Sequence, residues 1–186
     1  CHPLGCYCQS LFQAVAARRG LTTLVIEKDF WVCWALRRVF DLRPLGDHLI
    51  FKGGTSLSKV FGLIERFSED IDLSIQRDYL GATGEQDPEQ EGISNTKRSE
   101  RVKALRESCR VAVREQMLPA LLATFEAHLG TAAEGPAWRL EPDPAERGTL
   151  LFTYPSGQFM TAAPAYIRPL VKLEMGAGSD PYPIGR

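Results

Sequence analysis

The residues able to do chemistry gather in two short runs. Lys52-Gly53-Gly54-Thr55-Ser56 follows the apolar Leu49, Ile50 and Phe51 and precedes apolar residues at Leu57, Val60, Phe61 and Ile64. That last spacing predicts a helix with one buried stripe. Two glycines at a strand-to-helix turn let the backbone approach a ligand closely. A helix N-terminus adds free N–H groups and a positive dipole end, which suits phosphate. The second run is Asp70-Ile71-Asp72-Leu73-Ser74-Ile75, which alternates without a break. In a strand it sets Asp70, Asp72 and Ser74 on one face and the three apolar side chains on the other.

Two aspartates so placed have Cα atoms only ~6.5–7 Å apart. If their carboxylates converge to ~5 Å, repulsion at an effective dielectric near 20 is about 3 kcal/mol. A divalent cation turns that cost into attraction. Oxygen-only ligands favour Mg²⁺ or Mn²⁺, and Mg²⁺ typically takes one or two carboxylates plus substrate phosphates. A phosphate cradle followed closely by a metal pair suits phosphoryl or nucleotidyl transfer. Taken alone, Asp-x-Asp reads as an edge strand with a wet acidic face. Further on, Tyr166 to Met175 alternates in the same way, with Arg168, Lys172 and Glu174 on one face and Val171, Leu173 and Met175 on the other. Two readings stand for that strand: a surface Lys172–Glu174 pair, or a third carboxylate for the metal with Lys172 as a point charge for a triphosphate.

The run from Gly53 to Lys59, with Arg66-Phe67-Ser68-Glu69-Asp70-Ile71-Asp72-Leu73, closely resembles the AbiEii/AbiGii-type nucleotidyltransferase toxins, which include the MenT-type toxins. The resemblance extends to Ile26-Glu27-Lys28-Asp29-Phe30-Trp31-Val32, to Leu150–Pro155 and to Val171–Ala177. It implies transfer of a nucleoside monophosphate from a nucleoside triphosphate, with pyrophosphate released. Lys52, Gly53, Gly54, Thr55 and Ser56 would then cradle the phosphates. Asp70, Asp72 and Glu174 would hold Mg²⁺ or Mn²⁺, or Glu174 would deprotonate the acceptor hydroxyl. Lys172 would neutralise the transferring phosphate, with Arg66 as a second cation; Ser68 would bond locally or touch phosphate. The family carries a lysine and an acid where Lys172 and Glu174 stand, and often an arginine where Gly178 stands. Its N-terminal segment borders the active site, which leaves a minor role for Lys28. The resemblance further implies a toxin of a bacterial toxin–antitoxin or abortive-infection system, a cognate antitoxin, and the 3′ end of tRNA as acceptor, with translation blocked. The family generally continues into further strands and a helical C-terminal part, so a truncated or minimal version is expected here. Three other readings compete: transfer to a protein hydroxyl, an Asp-x-Asp glycosyltransferase, and a nucleotide-binding module without turnover.

A chain of 186 residues is long enough for one domain with a core of its own. The expected division is an N-terminal segment, 1–20, and a nucleotidyltransferase domain, 21–186. A net charge of −1 announces no global attraction to nucleic acid. No apolar run approaches membrane-spanning length, and no secretory signal is visible. Five cysteines are an odd number for a disulfide framework, so a reducing, cytoplasmic setting is expected. Cys33 and Cys109 read as buried small hydrophobes. Cys1, His2, Cys6 and Cys8 cluster at the terminus, where zinc would need four converging ligands and an irregular end is the alternative.

Ser10 to Arg19 predicts a short helix stopped by Gly20. Thr22 or Thr23 caps a second helix to about Phe40, with Trp31 and Trp34 in the core. Tyr79 to Gly92 reads as a loop or mobile flap. Ser94 or Asn95 opens a long helix whose outer faces carry Lys97, Arg98, Arg101, Lys103, Arg106, Arg110 and Arg114. This set is either a solvated face balanced by glutamates or a surface that tracks RNA phosphates. Pro119 kinks that helix or begins a new one, which Gly130 ends. The expected fold is α/β, leaning to α+β: a nucleotidyltransferase fold with a small mixed sheet flanked by helices. Its central strands fall near 48–52, 70–76, 149–154 and 166–175.

Overall fold

The structure is a computed structural model that describes residues 3–52, 70–131, 138–156 and 168–177, with side chains from residue 9 onward. Helix α1 (Pro3–Arg19) ends at Gly20, whose φ of 65° favours glycine. It begins earlier than the apolar spacing indicates, because a proline is tolerated in a helix's first turn. Helix α2 (Thr23–Asp41) is capped by Thr22, whose hydroxyl accepts the Val25 N–H at 3.3 Å. Phe12 of α1 packs on Phe30 of α2, with ring centroids 5.4 Å apart.

Five strands form one mixed sheet in the order β1-β2-β5-β4-β3: β1 (Leu49–Lys52), β2 (Asp70–Ile75), β3 (Arg139–Pro142), β4 (Thr149–Thr153) and β5 (Leu170–Ala177). The β2–β5 pair is parallel and the other pairs are antiparallel. This is the expected mixed α/β architecture. β5 starts at Leu170 rather than near Tyr166, so Arg168 precedes the strand and is exposed.

Helix α3 (Asn95–Ala112) is capped by Ser94, which accepts the Lys97 N–H at 3.2 Å. It runs through a π-helical turn (Val113–Met117) into α4 (Leu118–Leu129). Pro119 follows directly on the π-helical turn, at the start of α4, where its missing N–H interrupts the regular helical ladder. Gly130, with φ 80°, ends the helix.

The core lies between one face of the sheet and α2, α3 and α4. Ile71, Leu73, Ile75, Val171 and Leu173 meet Val32, Val39, Met117 and Phe125 there. Trp31 and Trp34 both pack on Phe152, with centroids 6.0 and 5.8 Å away. Cys109 is buried as expected, and burial pushes its thiol up to about 11, so it serves as a small apolar side chain. Cys33 is exposed instead, because it lies one position off the stripe of Val32, Ala35 and Val39.

One further expectation holds in part and another changes. The stretch from Tyr79 to Gly92 is a loop, but it is tied down. Arg77 pairs with Asp87 and Glu89, both at 3.1 Å, and Arg101 donates to the Asp87 carbonyl and Gln90 Oε1, both at 2.7 Å. Arg101 is therefore a buried anchor, 6% exposed, and not part of an outer basic face. Of the remaining cations, Arg110 pairs with Glu107 at 3.0 Å and Arg114 with Glu115 at 2.9 Å. Among the described residues, no helix is long and apolar enough to cross a membrane.

Candidate active site

The sheet face turned away from the core helices carries the polar members of every central strand. Cross-strand register arranges them in rows. Lys52, Asp72, Glu174 and Thr149 form one row across β1, β2, β5 and β4. Asp70, Lys172 and Leu151 form the next row. Ile50, Ser74 and Gly176 form a third. Alternation alone fixes which face each residue takes. The parallel pairing of β2 with β5 then brings Asp72 beside Glu174 and Asp70 beside Lys172. Neighbouring strands lie roughly 4.8 Å apart, so side chains paired in this way touch or nearly touch.

The charges respond to that closeness. The Asp72 carboxyl is held above its ordinary range, first by burial and then by Glu174, with Lys172 pulling the other way. Lys172 reaches Glu174 Oε1 at 2.9 Å and Glu146 Oε2 at 2.7 Å. Its pKa is raised, chiefly by the bond to Glu146 and then by that to Glu174, so the ammonium stays charged. Burial lowers the Lys52 ammonium, on the same row as Asp72.

An acid whose proton affinity is raised by a second acid suits a divalent cation, which relieves the repulsion between them. The oxygen-only donor set of Asp72 and Glu174, with Asp70 one row away, fits Mg²⁺ or Mn²⁺ in chemical type. Among the described residues, no three Asp, Glu, His or Cys side chains are gathered closely enough to hold a metal on their own. Asp70 is exposed in its row, and the Lys172 ammonium occupies one oxygen of Glu174.

Gly53, Gly54, Thr55, Ser56, Arg66 and Ser68 lie outside the described residues, as do the apolar stripe from Leu57 to Ile64 and Gly178. So do Cys1 and His2 and the side chains of Cys6 and Cys8. What is described is the end of β1 next to Gly53 in sequence: Lys52, adjacent to Asp72 in register.

Several other residues carry no strong local signal. Glu146 lies in a proline-containing turn between β3 and β4, yet it reaches across to Lys172. Thr149 ends the carboxylate row and is 6% exposed. Glu27 and Lys28, near the start of α2, are each 2% exposed. The Ser156 hydroxyl, just beyond β4, donates to Glu27 Oε2 at 2.8 Å. Ser74 is wholly buried, and among the described residues its Oγ finds no hydrogen-bond partner.

Comparison with known proteins gives one family. Residues 34–186 match the family model described as "Nucleotidyl transferase AbiEii toxin, Type IV TA system". No curated protein and no solved structure matches the chain.

Proposed function

The chain belongs to the AbiEii family of nucleotidyl transferase toxins, of type IV toxin–antitoxin systems, and from that premise we propose its reaction. It moves a nucleoside monophosphate from a nucleoside triphosphate onto an acceptor hydroxyl. The observation that carries this reading is the in-register pairing of Asp72 with Glu174 and of Asp70 with Lys172 on one sheet face.

Asp70, Asp72 and Glu174 are the groups that would hold Mg²⁺ or Mn²⁺. Bound there, the cation would supply charge neutralisation for the triphosphate and the departing pyrophosphate. The chain's own residues do the rest. The acceptor oxygen attacks the α-phosphorus, the bond to the bridging oxygen of the β-phosphate breaks, and pyrophosphate leaves. Where Glu174 is not engaged by the cation, it is the base that takes the hydroxyl proton. Lys172, held charged, faces the growing negative charge on the transferring group. Lys52 and the turn Gly53-Gly54-Thr55-Ser56 cradle the outer phosphates, with Arg66 and Ser68 close in sequence to the acidic strand. Backbone N–H groups at such a turn suit phosphate because they donate without a side chain in the way.

The acceptor we propose is the 3′ end of tRNA, modified in the cytoplasm so that translation stops; this part rests on the family resemblance. The cognate antitoxin is the protein's proposed biological counterpart. The test is transfer of α-labelled nucleoside triphosphates to bulk tRNA and, in parallel, to total protein. Label on tRNA that disappears in the Asp70→Asn, Asp72→Asn double variant is the expected result. Label only on protein moves the acceptor to a protein hydroxyl. Undiminished labelling by the double variant removes the carboxylates from the mechanism.

A further inference from the structure

Lys172 is held by two carboxylates, and only Glu174 belongs to the row that includes Asp72. The second is Glu146, from the turn between β3 and β4. That turn is built to stay put. The Asp143 N–H donates to the Thr149 carbonyl at 2.9 Å, the Thr149 N–H to the Glu146 carbonyl at 3.2 Å, and the Ala145 N–H to Asp143 Oδ1 at 2.8 Å. The Gly148 carbonyl accepts the Met175 N–H at 3.1 Å, which fastens the turn to β5. Gly148 takes φ 92°, and a Cβ there would stand 3.3 Å from the Met175 carbonyl oxygen. Glu146 is thus delivered to Lys172 by a turn bonded to both strands beside it.

Stability does not explain this pairing. The Glu146 side chain is 55% exposed, Lys172 25% and Glu174 37%, and ion pairs so open to solvent contribute little. Competition does. A divalent cation and the Lys172 ammonium both seek the Glu174 carboxylate. If Glu174 were the ammonium's sole partner, a cation taking that carboxylate would leave Lys172 with none. Glu146 removes that penalty and keeps the ammonium on the site face.

We propose that Glu146 is a positioning residue: it retains the Lys172 ammonium when Glu174 turns from it to a divalent cation shared with Asp72. This rests on the reaction proposed above.

The test titrates Mn²⁺ alone into the full chain and follows free Mn²⁺ by electron paramagnetic resonance. Four proteins are compared: the parent, Glu146→Gln, Lys172→Gln and the double variant. Glu146→Gln is expected to weaken Mn²⁺ binding about three- to tenfold, while in the Lys172→Gln background the same change costs about twofold or less. Equal losses in both backgrounds overturn the proposal, because they report only a lost negative charge or a disturbed turn. An unchanged affinity in Glu146→Gln overturns it too. Asp72→Asn separates the two levels of failure. Mn²⁺ binding that is absent from the parent, or indifferent to Asp72→Asn, defeats the carboxylate site and this inference together. Binding that needs Asp72 and ignores Glu146 defeats this inference alone.

Discussion

Asp72 and Glu174 are register partners across the parallel strands β2 and β5, and the Lys172 ammonium rests on Glu174 at 2.9 Å. If the proposed reaction holds, function and stability oppose each other at Asp72. Its carboxyl titrates above the ordinary 3.8, with burial as the main cause and Glu174 second. The folded state thus binds the Asp72 proton more tightly than the unfolded chain does. The stability this contributes is fully present below the unfolded value and is lost as pH rises through the raised one. Asparagine escapes that loss. Without added divalent cation, Asp72→Asn is expected to be more resistant to urea than the parent at pH 7, with the difference closing below about pH 3.8. The same variant is expected to lose about a hundredfold or more of its transfer rate. A variant less stable than the parent at pH 7 would contradict the electrostatic picture.

Arg101 tests the loop that precedes α3. One nitrogen, Nη1, donates both to the Asp87 carbonyl and to Gln90 Oε1 at 2.7 Å, and the side chain is 6% exposed. Hydrogen bonds from a charged donor contribute about 1.5–3 kcal/mol, and here the buried partner is the donor itself. Arg101→Ala is expected to cost about 2–3 kcal/mol and to open the chain to protease between Glu85 and Gly92. Lysine, with a point charge in place of the planar fork, is expected to restore less than half of the loss. Protease resistance equal to the parent's would show that the anchor does not hold the loop.

How much of this was legible in the sequence depends on range. The alternation of β2 and β5, the caps Thr22 and Ser94 and the stops Gly20 and Gly130 are local, and each is found where local rules put it. The faces of Asp72 and Glu174 were equally legible, since a strand's period leaves only two choices. That β2 lies next to β5 was not, because pairing between distant segments leaves no periodic trace. Glu146 was hidden for the same reason: its reach to Lys172 exists only once the β3–β4 turn is laid against β5. Charged residues misled in a different way. Glu27, Lys28 and Arg101 look solvated by type and are buried because specific partners or neighbours enclose them. The glycine turn, legible as a motif, lies outside the described residues.

Gly46 shows how tightly the approach to β1 is packed. Its N–H donates to the Leu42 carbonyl, and a Cβ built at this position would sit 2.3 Å from the Phe40 carbonyl oxygen and 2.9 Å from its carbon. Both obstructing atoms are backbone at the end of α2, so no side-chain rotation relieves the clash. Gly46→Ala is expected to destabilise by about 2–3 kcal/mol, read as a lower urea midpoint with an unchanged slope. A midpoint within error of the parent's would mean that the turn from Leu45 to His48 yields far more readily than its packing implies.

Ser74 makes the converse case on β2. It occupies the same sheet face as Asp72 but is wholly buried, beside Ile50 and Gly176 in register, and among the described residues its Oγ meets no hydrogen-bond partner. A hydroxyl buried in this way costs roughly 1–3 kcal/mol by the measure of protein mutations. Deleting it leaves a void no larger than one oxygen, so the desolvation gain should exceed the lost contacts. Ser74→Ala is therefore expected to raise the unfolding free energy by about 0.5–1 kcal/mol. Ser74→Val, which puts two methyl groups where the fully buried hydroxyl sits, is expected to lower it by about 1–2 kcal/mol. The opposite order of stabilities would mean that the hydroxyl has a partner in solution, and that this end of the polar face is wetter than the one at which Asp72 and Glu174 meet.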